Sequence, residues 1–163
     1  STDVYSLGAT AYWLLAAQPP VNLAGIYGIA ARMAAAAAQA TPRLRDVAPH
    51  VPAPVASIIE RAMAVDPANR YQTVADLSAA LGSRSTKPRR WRRTNQHPGH
   101  LGCWVGESPG KSTYILCLEQ GATAKQCTVT TRHATGARVP KGSRAAPMRD
   151  AAQAIRATID RLS

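Results

Sequence analysis

Two histidines and three cysteines fall between residues 97 and 127, and all five are of types that bind metal ions. His97-Pro98-Gly99-His100-Leu101-Gly102-Cys103 places three candidate donors in a short Gly/Pro-containing stretch, and Cys117 or Cys127 can complete a tetrahedron of the kind zinc adopts. The spacing matches no standard zinc module and contains no C-x-x-C pair. Thiols buried for packing and histidines in a loop account for the same residues, so the expectation is no metal and no cofactor in this chain. A disulfide between Cys117 and Cys127 across a hairpin is the other use of those thiols.

Gly106-Glu107-Ser108-Pro109-Gly110-Lys111-Ser112-Thr113 superficially suggests a phosphate-binding loop. That loop needs four residues between its glycines, where this stretch has three, and a helix must follow it. Thr113–Leu118 has the composition of a strand instead, so a polar hairpin loop carrying a lysine is expected. A third candidate is Arg84, Lys87, Arg89, Arg90, Arg92 and Arg93 clustered around Trp91. Arg89, Arg90, Arg92 and Arg93 can neutralise phosphates and Trp91 can stack on a base or enter a lipid interface, which makes nucleic acid or an anionic surface a candidate partner for residues 84–93. A solvated basic linker is the plainer alternative.

The elements that must position these residues divide the chain. Val4, Leu7, Gly8, Ala11, Leu14 and Leu15 recur at helical spacing, and Tyr12 and Trp13 widen the apolar face, predicting a helix over 3–17 buried nearly all round. A second helix is expected over 23–39, and four prolines make 40–54 irregular. A third presents Val55, Ile58, Ile59, Ala62 and Met63 and stops at Asp66-Pro67. A fourth starts at Thr73, capped with Asp76, and runs through Val74, Leu77 and Leu81 to Gly82. Residues 83–100 read as a basic linker. Beyond it, 103–105, 112–119 and 126–132 have strand composition, the last two forming a hairpin, and 148–162 closes with a helix. The expected fold is therefore α (about four helices, residues 1–82), then the linker, then a small basic α+β domain over 101–163.

Charge follows the same division. Residues 1–82 hold five basic and five acidic side chains, so the whole net charge of +11 lies in the remainder, which points to two units with different partners. No apolar run approaches the roughly 18–20 residues of a membrane span, and no secretory signal is seen. Three cysteines cannot all pair with one another, so reduced thiols in the cytoplasm are expected.

Asp3-Val4-Tyr5-Ser6-Leu7-Gly8, then Gln18-Pro19-Pro20, then Arg61-Ala62-Met63-Ala64-Val65-Asp66-Pro67-Ala68-Asn69-Arg70-Tyr71 together resemble the closing third of a bacterial, eukaryotic-like serine/threonine protein kinase domain. The resemblance covers residues 1–82, half of the chain. It implies that these helices come from the C-terminal part of the kinase C-lobe. In that family the aspartate at Asp3 accepts backbone hydrogen bonds from the catalytic loop, and the glycine at Gly8 permits close packing. The arginine at Arg70 pairs there with the glutamate of an A-P-E motif. Where relatives often place Phe, Val21 stands here.

The Gly-rich loop, strand lysine, H-R-D and D-F-G that phosphoryl transfer requires do not occur in these residues. The resemblance therefore implies ATP and magnesium only for the complete parent, whose N-lobe and catalytic loop precede Asp3 and which takes a protein substrate. This chain alone is expected to be inactive. Asp3 is expected as a helix-start carboxylate and Arg70 as a solvated charge. A non-catalytic interaction module, with a basic tail that binds nucleic acid or an acidic partner, is the competing expectation.

Overall fold

The computed structural model describes residues 2–38, 41–83, 89–95 and 97–163. Arg84 and Lys87 lie outside them. The chain divides into two compact units: Ser1–Ala48 with Ala53–Arg84, and Pro49–Pro52 with Ser85–Ser163. The first is helical and the second is an antiparallel sheet with one helix, so the architecture is α followed by α+β.

The helical unit contains α1 (Thr2–Ala16), α2 (Ile29–Ala38), the single turn α3 (Leu44–Val47), α4 (Ala53–Ala62) and α5 (Val74–Gly82). Helix α4 begins two residues before the expected start because Pro54 is compatible with a first helical turn, where its missing N–H has no partner to lose. Its Ala56, Ile58, Ile59 and Ala62 are buried. Thr73 and Asp76 form the expected capping box of α5, each side chain bonded to the other's backbone N–H. Glu60 caps α3 from α4, its carboxylate accepting from the Leu44 N–H at 2.8 Å.

Helix α1 differs from its expected all-round burial. Val4, Gly8, Tyr12 and Ala16, one residue per turn, form its buried face, while Trp13 is 59% and Leu14 81% exposed. Partners from α3, α4 and α5 reach one side of this helix, while Leu7, Trp13 and Leu14 on the other are exposed. At Gly8 a Cβ would stand 2.9 Å from both Ala62 Cβ at the end of α4 and Met63 Cγ just after it.

The second unit is a five-stranded antiparallel sheet in the order β1-β2-β3-β4-β5: Arg90–Thr94, His100–Glu107, Tyr114–Gln120, Gln126–His133 and Arg138–Pro147. Helix α6 (Ala151–Leu162) packs on one face, burying Ala154, Ile155 and Ile159 against Trp104, Leu116, Leu118, Cys127 and Val129. Two strands depart from the sequence expectation. The stretch read as linker contains β1, and β5 runs through a basic, Pro- and Gly-containing segment. Both lie at sheet edges, where charge and proline are tolerated because one row of backbone groups faces away from the ladder. Gly106 and Glu107 end β2 and residues 108–113 form the loop to β3, in keeping with a hairpin and not a phosphate loop. Among the described residues no helix is long and apolar enough to cross a membrane.

The Tyr12 hydroxyl donates to the Pro42 carbonyl at 3.0 Å, and burial, then the Glu60 and Asp46 carboxylates, raise its pKa. A raised folded-state pKa means that ionisation favours the unfolded chain. The helical unit should hold its stability below about pH 10 and lose it as pH climbs further. Helical circular dichroism in urea titrations at pH 8 and 11 should show this loss in the native chain and a smaller one in Tyr12→Phe; equal losses would remove Tyr12 as the cause.

Candidate functional site

The sheet face opposite α6 carries the histidine and cysteine cluster. His97-Pro98-Gly99-His100 is a β-turn closed by the His100 N–H donating to the His97 carbonyl at 3.0 Å. Proline second and a glycine with φ of +81° third is the type II pattern, and the positive φ is why glycine stands there. The turn sets the two imidazoles edge to face, with ring centroids 5.2 Å apart.

A β-bulge brings in the sulfurs. His100 pairs with Glu119 and Cys103 with Cys117, so three steps along β2 match two along β3. Regular alternation would send residues 100 and 103 to opposite faces; the extra residue restores both to the same one. Cys103 then sits directly across from Cys117.

The result is four donor atoms, one each from His97, His100, Cys103 and Cys117, all within 4.8 Å of one another. Cys103 Sγ lies 3.3 Å from His97 Nδ1 and 3.5 Å from His100 Nδ1, and Cys117 Sγ lies 3.5 Å from His97 Nδ1. Both cysteines are buried, His100 is half-buried and His97 exposed. Burial, then the neighbouring Cys103 and the Glu119 carboxylate, hold the Cys117 thiol well above its usual range, with Arg132 opposing. These four residues can hold a thiophilic divalent cation, which displaces the thiol protons on binding.

Cys127 does not join them. It lies in the core beneath α6, its thiol directed to the Ala146 and Pro147 carbonyls at 3.4 and 3.7 Å. Cys117 and Cys127 occupy opposite faces of the sheet and both are free thiols, which corrects the expected disulfide alternative.

The basic run divides by role. Arg89 is only 7% exposed, and its guanidinium donates to the carbonyls of Leu162 at 3.0 Å, Gly106 at 3.0 Å and Ser112 at 2.6 Å while lying over the Tyr114 ring. It is a buried structural residue and not an anion contact, because Nε and both Nη1 donors already have carbonyl acceptors. Trp91 packs against the core under α6 and is likewise not a free stacking surface. Arg90, Arg92 and Arg93 are exposed, with Arg92 lying 3.5 Å from Glu107.

In the helical unit, Asp3 is exposed in the first turn of α1. Arg70 is half-buried instead of solvated. Its Nε donates to the Ala64 carbonyl at 2.7 Å and its Nη2 to the Val65 carbonyl at 3.1 Å, and its guanidinium lies 4.9 Å over the Tyr5 ring. Its acceptors are thus backbone carbonyls that follow α4. The motif around Asp3 and the motif around Arg70 thus meet in space.

Comparison of the chain with protein families, curated proteins and solved structures found no match.

Replacing Arg89 with Met should destabilise the sheet unit by about 2–4 kcal/mol, since three carbonyls lose a charged donor. Arg90→Met should change stability by less than about 0.5 kcal/mol. Urea denaturation followed by tryptophan fluorescence measures both, and equal effects would deny Arg89 its structural role.

Proposed function

We propose that the helical unit is the supporting part of a serine/threonine protein kinase C-lobe, belonging to a parent that transfers the ATP γ-phosphate to a protein substrate. One observation carries this: the two motifs of the resemblance, some sixty residues apart, pack together through Arg70 on Tyr5 and Gly8 on Ala62 and Met63. A groove between α1 and α5, bordered by Leu7, Leu14, Val74 and Leu81, adds support, because a supporting subdomain presents apolar surface to the lobe it braces. Catalytic residues, with ATP and magnesium, belong to chain preceding Asp3. The cytoplasm suits both a kinase and three free thiols.

The 163-residue chain should transfer no labelled phosphate from ATP to a generic protein substrate. The coding frame upstream of Asp3 should encode H-R-D and D-F-G, and the joined protein should phosphorylate serine or threonine, with Arg70→Ala slowing it. Transfer by the short chain, or an upstream frame lacking both motifs, would overturn the proposal.

A second reading, a non-catalytic module with a basic tail, is favoured by three exposed guanidiniums, Arg90, Arg92 and Arg93, on one edge strand. Such an edge can follow a phosphate backbone, with an affinity that falls steeply as salt rises. Titration with RNA and DNA at two salt concentrations should then give salt-dependent binding that the triple alanine variant loses. Absence of binding at low salt ends this reading.

A further inference from the structure

We propose that His97, His100, Cys103 and Cys117 bind one zinc ion in a closed tetrahedral site that organises the sheet unit. This stands independently of the kinase proposal. Zinc bonds of about 2.3 Å to sulfur and about 2.0–2.1 Å to imidazole put tetrahedral sulfur and nitrogen ligands about 3.5 Å apart. Three of the four sulfur–nitrogen separations here are 3.3, 3.5 and 3.5 Å, and all four donor atoms lie within 4.8 Å of one another. Hydrogen bonding alone does not account for the set. Cys103 has one thiol proton and two imidazole nitrogens within reach, while His97 Nδ1 has two sulfurs. A central cation satisfies every contact at once.

A second feature points the same way. His100 turns Nδ1 to the sulfur and Nε2 toward Glu119, whose Oε1 lies 3.7 Å away and accepts the Thr130 hydroxyl at 2.6 Å. At that separation, beyond a hydrogen bond, the carboxylate attracts the far N–H of a ligating imidazole electrostatically and favours this orientation of the ring. Glu119 is the register partner of His100 across β2 and β3, so the sheet itself supplies this support.

The donor chemistry selects the metal. Two sulfurs and two imidazoles suit zinc, whereas magnesium and calcium require oxygen. Binding exchanges the thiol protons of Cys103 and Cys117, released to solvent, for one Zn²⁺. The site therefore stays neutral overall, in the half of the chain that holds all the net positive charge. Four protein donors leave no position for a substrate, so the ion has a structural role. It ties the β1–β2 turn to β2 and β3 on the face that α6 does not cover, as small domains with a single thin core commonly require.

The full chain, purified without a histidine tag from zinc-supplemented medium, should contain one zinc per molecule by elemental analysis. Stripped and titrated with Co²⁺, it should give the intense visible bands of tetrahedral cobalt and a near-ultraviolet thiolate-to-cobalt band. Cys103→Ser and Cys117→Ser should each weaken the thiolate band, and Cys127→Ser should leave it unchanged. Glu119→Gln should keep the spectrum but weaken zinc binding about 10–100-fold. Because a ligand variant can fail to fold, the native chain supplies a second readout: a chelator should lower its thermal midpoint, and zinc but not magnesium should restore it. Zinc content near zero, an octahedral cobalt spectrum, or a midpoint indifferent to the chelator would overturn the proposal.

Discussion

Between His100 and Cys103, β2 has one more residue than β3 can pair with, and much of the sheet unit follows from how that surplus is absorbed. A strand without the bulge would bury either the imidazole or the thiol on the wrong face. With it, one face of β2 and β3 is polar and donor-rich, and the other presents Trp104, Leu116 and Leu118 to α6. The same two strands thus carry both an apolar core and a cluster of ligating atoms, separated by the thickness of one backbone layer.

Helices α4 and α5 were the legible part of the helical unit, because each announces itself locally, whereas the short α3 lies in a proline-containing stretch expected to be irregular and α2 begins six residues after its expected start. The apolar spacing of α4 and the Thr73–Asp76 cap of α5 need no knowledge of distant residues. The central strands were legible for the same reason, their Val, Ile, Thr and Tyr content being a local signal. Strand β1, Arg-Trp-Arg-Arg-Thr, carries no such signal: its pairing with β2 is a property of position in the sheet, and charge there reads as linker.

The donor set was half visible. His97, His100 and Cys103 are adjacent in the chain, but choosing between Cys117 and Cys127 depends on strand register. Alternation over β3 and β4 sends those two thiols to opposite faces, a long-range outcome that neither local composition nor spacing reports. Arg89 was misread for a similar reason. A guanidinium amid other basic residues looks solvated until its three carbonyl acceptors, which come from distant parts of the chain, are brought to it. The close approach at Gly8, where a Cβ would stand 2.9 Å from Ala62 Cβ and Met63 Cγ, likewise depends on residues distant in the chain.

Arg89 also has a topological consequence. It precedes β1 and bonds the carbonyl of Leu162 at the end of α6, so the start of the sheet and the end of its helix are clasped by one cation. A short linker can therefore bridge them, and new ends can open in the loop after Gln120, where no neighbouring strands would be parted. The sheet and its helix, from β1 to α6, thus have their two ends held side by side, and circular permutation of that stretch is the engineering its architecture invites.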